Sequence, residues 1–165
     1  MRTSDYVFCM DELSLMDATA QAELVATGAA SPLELVDAAI ERIEALNATV
    51  NAVIYKDFDR ARDVAASNDL ADGPFRGVPF LIKDIGANQA GLPYWSGNIA
   101  LKNMGHTATE DTELGARFRQ AGLVTLGKSN LPELGSVPTT QPLSCGPTNN
   151  PWDLARSPAG SSGGS

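Results

Sequence analysis

Cysteine is scarce in this sequence: Cys9 and Cys145 are the only two, they stand far apart, and neither belongs to a C-x-x-C or other ligand spacing. That gives no support to a zinc site or a dithiol redox motif, and a reducing compartment, the cytoplasm, is expected. Histidine is scarcer still, with His106 alone in the chain; it follows Gly105 and reads as a loop residue. Basic residues are outnumbered, 12 Lys and Arg against 20 Asp and Glu, so the net charge is -8. The scattered cations form no basic patch, which argues against nucleic acid and an anionic membrane surface as partners. No apolar run approaches the roughly 18 residues of a membrane-crossing helix. The opening MRTSDYVFCMDELSLMD also lacks the charged head and long apolar stretch of a signal peptide. A small molecule is the expected partner.

What the sequence does contain is an alternation of helical and strand-like segments. At 165 residues, 43% of them hydrophobic, it suits about one domain with an ordinary core and no need of disulfides. In SPLELVDAAIERIEALN, Ser31 is placed to cap a helix, Pro32 fits its first position and Glu34 completes a capping box. Leu33, Val36, Ile40 and Ile43 then recur as one apolar stripe. VNAVIY reads as a strand, KDFDRARDVAASNDL as a charged surface helix, and DGPFRGV as a turn. VPFLIK is expected to be a strand buried on both faces. EDTELGARFRQAG reads as a helix with Leu114, Phe118 and Ala121 on one face and Gly122 as its stop, and LVTLGK as a second buried strand. The pattern is that of a layered α/β fold. From Ser129 onward six prolines, among them Pro132, Pro138 and Pro158, break up regular structure. Such a stretch is expected to be either a loop system that builds a site or a tail.

Three motifs invite a chemical reading. Gly122 to Ser129 satisfies the phosphate-loop pattern G-x-x-x-x-G-K-[ST], but strand formers fill its centre and a helix precedes it, so Lys128 is expected on the surface at a strand end. Gly160 to Gly164 satisfies G-x-S-x-G around Ser162, yet no strand precedes it and His106 lies upstream, which argues against a Ser-His-Asp hydrolase. The third is Lys83, directly after an apolar run. Desolvation there would favour its neutral form, which is the form that acts as a general base. The plainer alternative is a strand leaving the core, with Asp84 as counter-charge to Lys83.

Taken together, GVPFLIKDI, GLVTLGKSNLPELG, CGPTNNPWDLARSPAGSSGGS and ATAQAELVATGAASPLELVDAAIERIEALNATVNAV resemble the amidase signature family, in order and over nearly the whole chain. The resemblance implies the N-terminal part of that fold, a mixed β-sheet with helices on both faces, here with the sheet incomplete. It also implies hydrolysis of linear or cyclic carboxylic amides by a Ser-Ser-Lys triad, with no metal or organic cofactor. Lys83 aligns with the catalytic lysine. Ser161 aligns with the relay serine that follows a cis peptide bond, and Gly160 supplies the carbonyl side of that bond. Ser162 is a supporting partner of Lys83. Thr140 and Gln141, in the VPTTQP stretch, are substrate-side candidates, with a structural turn as the alternative.

Two departures from the family pattern stand out. Ala159 replaces the first of the two glycines usual before the serine pair. The nucleophilic serine and its oxyanion-hole glycines fall past Ser165, so residues 1–165 are expected to be a truncated segment of one amidase domain, inactive alone. A non-catalytic binding or interaction module is the alternative. Strands without their neighbours would expose open edges, so marginal stability or aggregation is expected.

Overall fold

The computed structural model describes residues 12–67 and 69–165, so Cys9 lies outside the described residues. After a 3-10 turn at Glu12–Leu15 come α1 (Ala18–Thr27), α2 (Pro32–Val50), β1 (Val53–Lys56), α3 (Phe58–Ala66) and β2 (Pro79–Lys83). Then follow α4 (Ile99–Asn103), α5 (Glu113–Gln120) and β3 (Val124–Ser129). The described strands form one mixed sheet in the order β1-β3-β2, with β1 antiparallel and β2 parallel to β3.

The longest helix starts and stops on local chemistry. Ser31 Oγ accepts from Glu34 N at 3.2 Å while the Glu34 carboxylate accepts from Ser31 N at 2.8 Å, and Pro32 needs no partner in the first turn. At the other end Asn51 takes the left-handed conformation, φ 52°, and turns the chain into β1. Between these caps the expected stripe points inward: Val36 and Ile40 are fully buried, and Leu33 and Ile43 pack at the margin. Ala61 and Ala65 of α3 and Val124 and Leu126 of β3 complete that core. Ser31→Ala should cost about 1 kcal/mol, read as a lower denaturant midpoint at unchanged slope. The donors from Ser31 hold the Glu34 carboxyl below its usual range. That contribution is present at neutral pH and is lost as pH falls through the lowered value.

Three expectations are corrected. Among the described strands β2 has only β3 beside it, and of its five residues only Ile82 is buried, so it is not covered on both faces. In α5 the inward residues are Gly115 and Phe118, whereas Leu114 is exposed. A Cβ at position 115 would lie 2.1 Å from the Asn88 carbonyl oxygen, and that close approach turns the helix. Phe118 then meets Phe80 of β2 edge to face, with centroids 4.9 Å apart. Third, the G-K-S stretch is strand β3 in the middle of the sheet, and Lys128 is 1% exposed rather than a surface residue. Gly127 is required there because a Cβ would come within 2.0 Å of the Tyr55 carbonyl oxygen on β1.

Candidate active site

The sheet ends at a polar cluster. Parallel pairing sets Lys83 opposite Ser129, and alternation along β2 buries Ile82 while leaving Lys83 half-buried at the strand end. Beyond Ser129 the chain has no regular element except a 3-10 turn at Glu133–Gly135, and its last residues fold back over the end of the sheet. Lys83 Nζ donates to Ser161 Oγ at 2.8 Å and to Ser162 Oγ at 3.0 Å. The peptide bond between Gly160 and Ser161 is cis, and Ala159 before it has φ 69°. The stretch thus brings together a primary amine and two hydroxyls, a set able to pass protons among themselves.

Buried polar residues hold this loop. Asn130, fully buried, accepts from Gly164 N at its carbonyl oxygen (3.1 Å) and donates its own N–H to Ala52 O (2.8 Å). Its side-chain amide donates to Thr148 Oγ1 at 2.9 Å and Gly146 O at 3.1 Å, while Thr148 Oγ1 donates to Asn51 O at 2.8 Å. Thr140 is also fully buried, and its hydroxyl donates to Ala159 O at 2.9 Å. Gln141, next to it, is exposed. His106 is exposed beside the Tyr94 ring.

Asp84 does not turn to Lys83. It is fully buried, accepts from Trp95 N at 3.1 Å, and faces Lys128 Nζ at 3.8 Å. At that separation the two groups are too far apart for a hydrogen bond, and among the described residues neither Lys128 Nζ nor Asp84 Oδ2 has a hydrogen-bond partner. Burial raises the Asp84 pKa, opposed by the Trp95 N–H and the Lys128 charge. Burial likewise lowers the Lys128 pKa, opposed by Asp84. Sequence reading missed this pair, along with Asn130 and Thr148. A lysine inside an apolar strand run is the available signal for the pair. Among the described residues no group of three or more His, Cys, Asp and Glu side chains could hold a metal ion, and no helix is long and apolar enough to cross a membrane.

With this geometry in hand, the relatives are informative. The Amidase family model matches residues 34–165. A 6-aminohexanoate-cyclic-dimer hydrolase of Paenarthrobacter ureafaciens is 47% identical over 149 residues, covering 90% of this chain and 30% of that protein. The solved structure of a 6-aminohexanoate cyclic dimer hydrolase complexed with substrate superimposes with a TM-score of 0.87 at 46% identity, over 94% of this chain and 31% of the other. Peptide amidase from Stenotrophomonas maltophilia gives 0.82 at 32% identity, over 93% and 34%. The chain therefore spans about a third of the length of the curated relatives it matches. Both the matched family model and the shared fold lead to one conclusion: this chain belongs to the amidase signature family of amide hydrolases.

Proposed function

We propose that these residues supply the base and the relay serine of an enzyme that hydrolyses linear or cyclic carboxylic amides through an acyl-enzyme, and that the nucleophilic serine belongs to a segment beyond Ser165. The observation that carries the proposal is the 2.8 Å contact between Lys83 Nζ and Ser161 Oγ. In the reaction, Lys83 takes the Ser161 proton as Ser161 takes that of the nucleophile. The nucleophile attacks the amide carbonyl, and backbone N–H groups stabilise the oxyanion. Collapse of the intermediate breaks the C–N bond, and the relay returns the proton to the departing amine; water then releases the acid. Ser162, also bonded to Lys83, keeps the amine aimed at the pair. Gly160 gives the loop a residue with no side chain where a Cβ would crowd Pro138 and Thr139.

No metal or organic cofactor enters this scheme, because the lysine provides the proton transfer and the serine the covalent step. Gln141, exposed beside the loop, is the substrate-side candidate that solvent reaches. The enzyme acts in the cytoplasm on a small-molecule amide, and its net charge of -8 disfavours nucleic acid as a partner. The amide bond of a cyclic dimer, the substrate class in the name of the Paenarthrobacter relative, is the first to try.

The test is to label the full-length enzyme with a fluorophosphonate and map the modified peptide. The label is expected on a serine outside residues 1–165, and the 165-residue chain alone is expected to show neither labelling nor amide turnover. A label on Ser161 or Ser162 would overturn the assignment of roles.

A further inference from the structure

We propose that Thr140 is a positioning residue for the reaction, a buried post that holds Ser161 against Lys83, and not a residue that touches substrate. The inference rests on the amidase reading above and adds a component to it. Three observations converge on this side chain. Its exposure is 0%, which removes it from the surface a substrate could reach. Its hydroxyl donates to the carbonyl oxygen of Ala159 at 2.9 Å, two residues before Ser161. The chain after Ser162 also curls back onto it: a Cβ at Gly163 would sit 2.1 Å from Thr140 Oγ1 and 2.6 Å from Thr140 Cβ, and one at Gly160 would sit 3.2 Å from Oγ1. Residues 159–163 therefore wrap around one threonine, and Ser161 lies in the middle of the wrap.

The post is itself anchored. Thr140 O accepts from Thr148 N at 3.0 Å, and Thr148 is tied through its hydroxyl to Asn51 and Asn130. Asn130 in turn accepts from Gly164 N at 3.1 Å. The serine loop is thus held upstream by Thr140 and downstream by Asn130, and both holds lead back to the ends of α2, β1 and β3. Ala159 is exposed, so without the Thr140 donor its carbonyl could bond to water instead and the loop would lose its upstream fix. Ser161 Oγ would then drift from Lys83 Nζ, and a displacement of about 1 Å in such a pair costs up to about a hundredfold in rate.

Thr140→Val keeps the shape and removes the donor, whereas Thr140→Ser keeps the donor. In the full-length enzyme, Thr140→Val is expected to lower kcat about 10- to 100-fold with KM changed less than about threefold. Thr140→Ser should recover most of the lost rate. A rise in KM at unchanged kcat would overturn the proposal in favour of substrate contact. Equal losses in both variants with a lowered Tm would overturn it in favour of simple packing. A crystal structure of Thr140→Val tests the proposal without any turnover: the Lys83 to Ser161 distance should stretch past about 3.5 Å, and retention of the 2.8 Å contact would refute it. Failure of the amidase reading looks different, since the unmodified enzyme would then hydrolyse no amide while this distance would still report on Thr140.

Discussion

If Lys83 is the base proposed above, replacing it by Met in the full-length protein is expected to lower kcat/KM on amides by about 10²- to 10⁴-fold, the range a positioned general base contributes. The same variant should lose fluorophosphonate labelling. Methionine keeps the length and most of the apolar stem of lysine but has no basic atom. The stem can stay packed at the end of β2 while the hydroxyls of Ser161 and Ser162 lose the amine that both now contact. In the proposed reaction the nucleophile would then be left at its intrinsic, weak reactivity. Ile82, next in the strand, is 1% exposed and carries the packing, so Tm should move little. Labelling of Lys83→Met at the unmodified rate would remove lysine from the mechanism. A large fall in Tm with proportionate loss of activity would make its role structural.

Lys128→Met is expected to destabilise the sheet by about 3–5 kcal/mol, because it removes one partner of a buried ion pair and leaves the other. Asp84 is fully buried, with Lys128 as the counter-charge at 3.8 Å. The pH dependence identifies the cause. In the unaltered protein the folded-state pKa of Lys128 lies below its unfolded value near 10.5. Between those two values the unfolded chain binds the extra proton, so this group's contribution rises with pH and is complete above 10.5. The variant lacks that rise. In the variant Asp84 also loses the charge that partly restrained its raised pKa, so it takes up a proton more readily in the folded state. Stability should therefore fall as pH climbs from the unfolded value of 3.8 through the folded one. Denaturant unfolding of both proteins across the pH range reads the two slopes. Adding Asp84→Asn to Lys128→Met should restore much of the loss, since the pair is then removed together. A Lys128→Met protein with the slope of the parent would show that the pair carries no such charge coupling.

How much of the molecule could be read in advance depended on how local the cause was. Helix α2 was legible at both ends because Ser31, Pro32 and Glu34 act within one turn, and its buried face followed from the spacing of Val36 and Ile40. The orientation of α5 is not legible in the sequence because it depends on Asn88, distant along the chain, whose carbonyl leaves room at position 115 only for glycine. The serine loop carries its family resemblance in the sequence, but its supports do not show there. Thr140, Thr148 and Asn130 are ordinary polar residues until three chain segments meet around them.

The two lysines show where the division falls. The sequence by itself determined the alternation of helices and strands, the caps, the acidic balance and the family, since each depends on residue types close together or on motifs in order. It presented Lys83 and Lys128 alike, each following an apolar strand run and each with a polar residue after it. Only the tertiary structure decided between them. Sheet order places β3 between two neighbours and β2 at an edge, so Lys128 is enclosed with Asp84 while Lys83 stays half-buried and meets Ser161, 78 residues further along the chain. The physical reason is that burial is a property of the assembled sheet, and desolvation of the ammonium follows from burial.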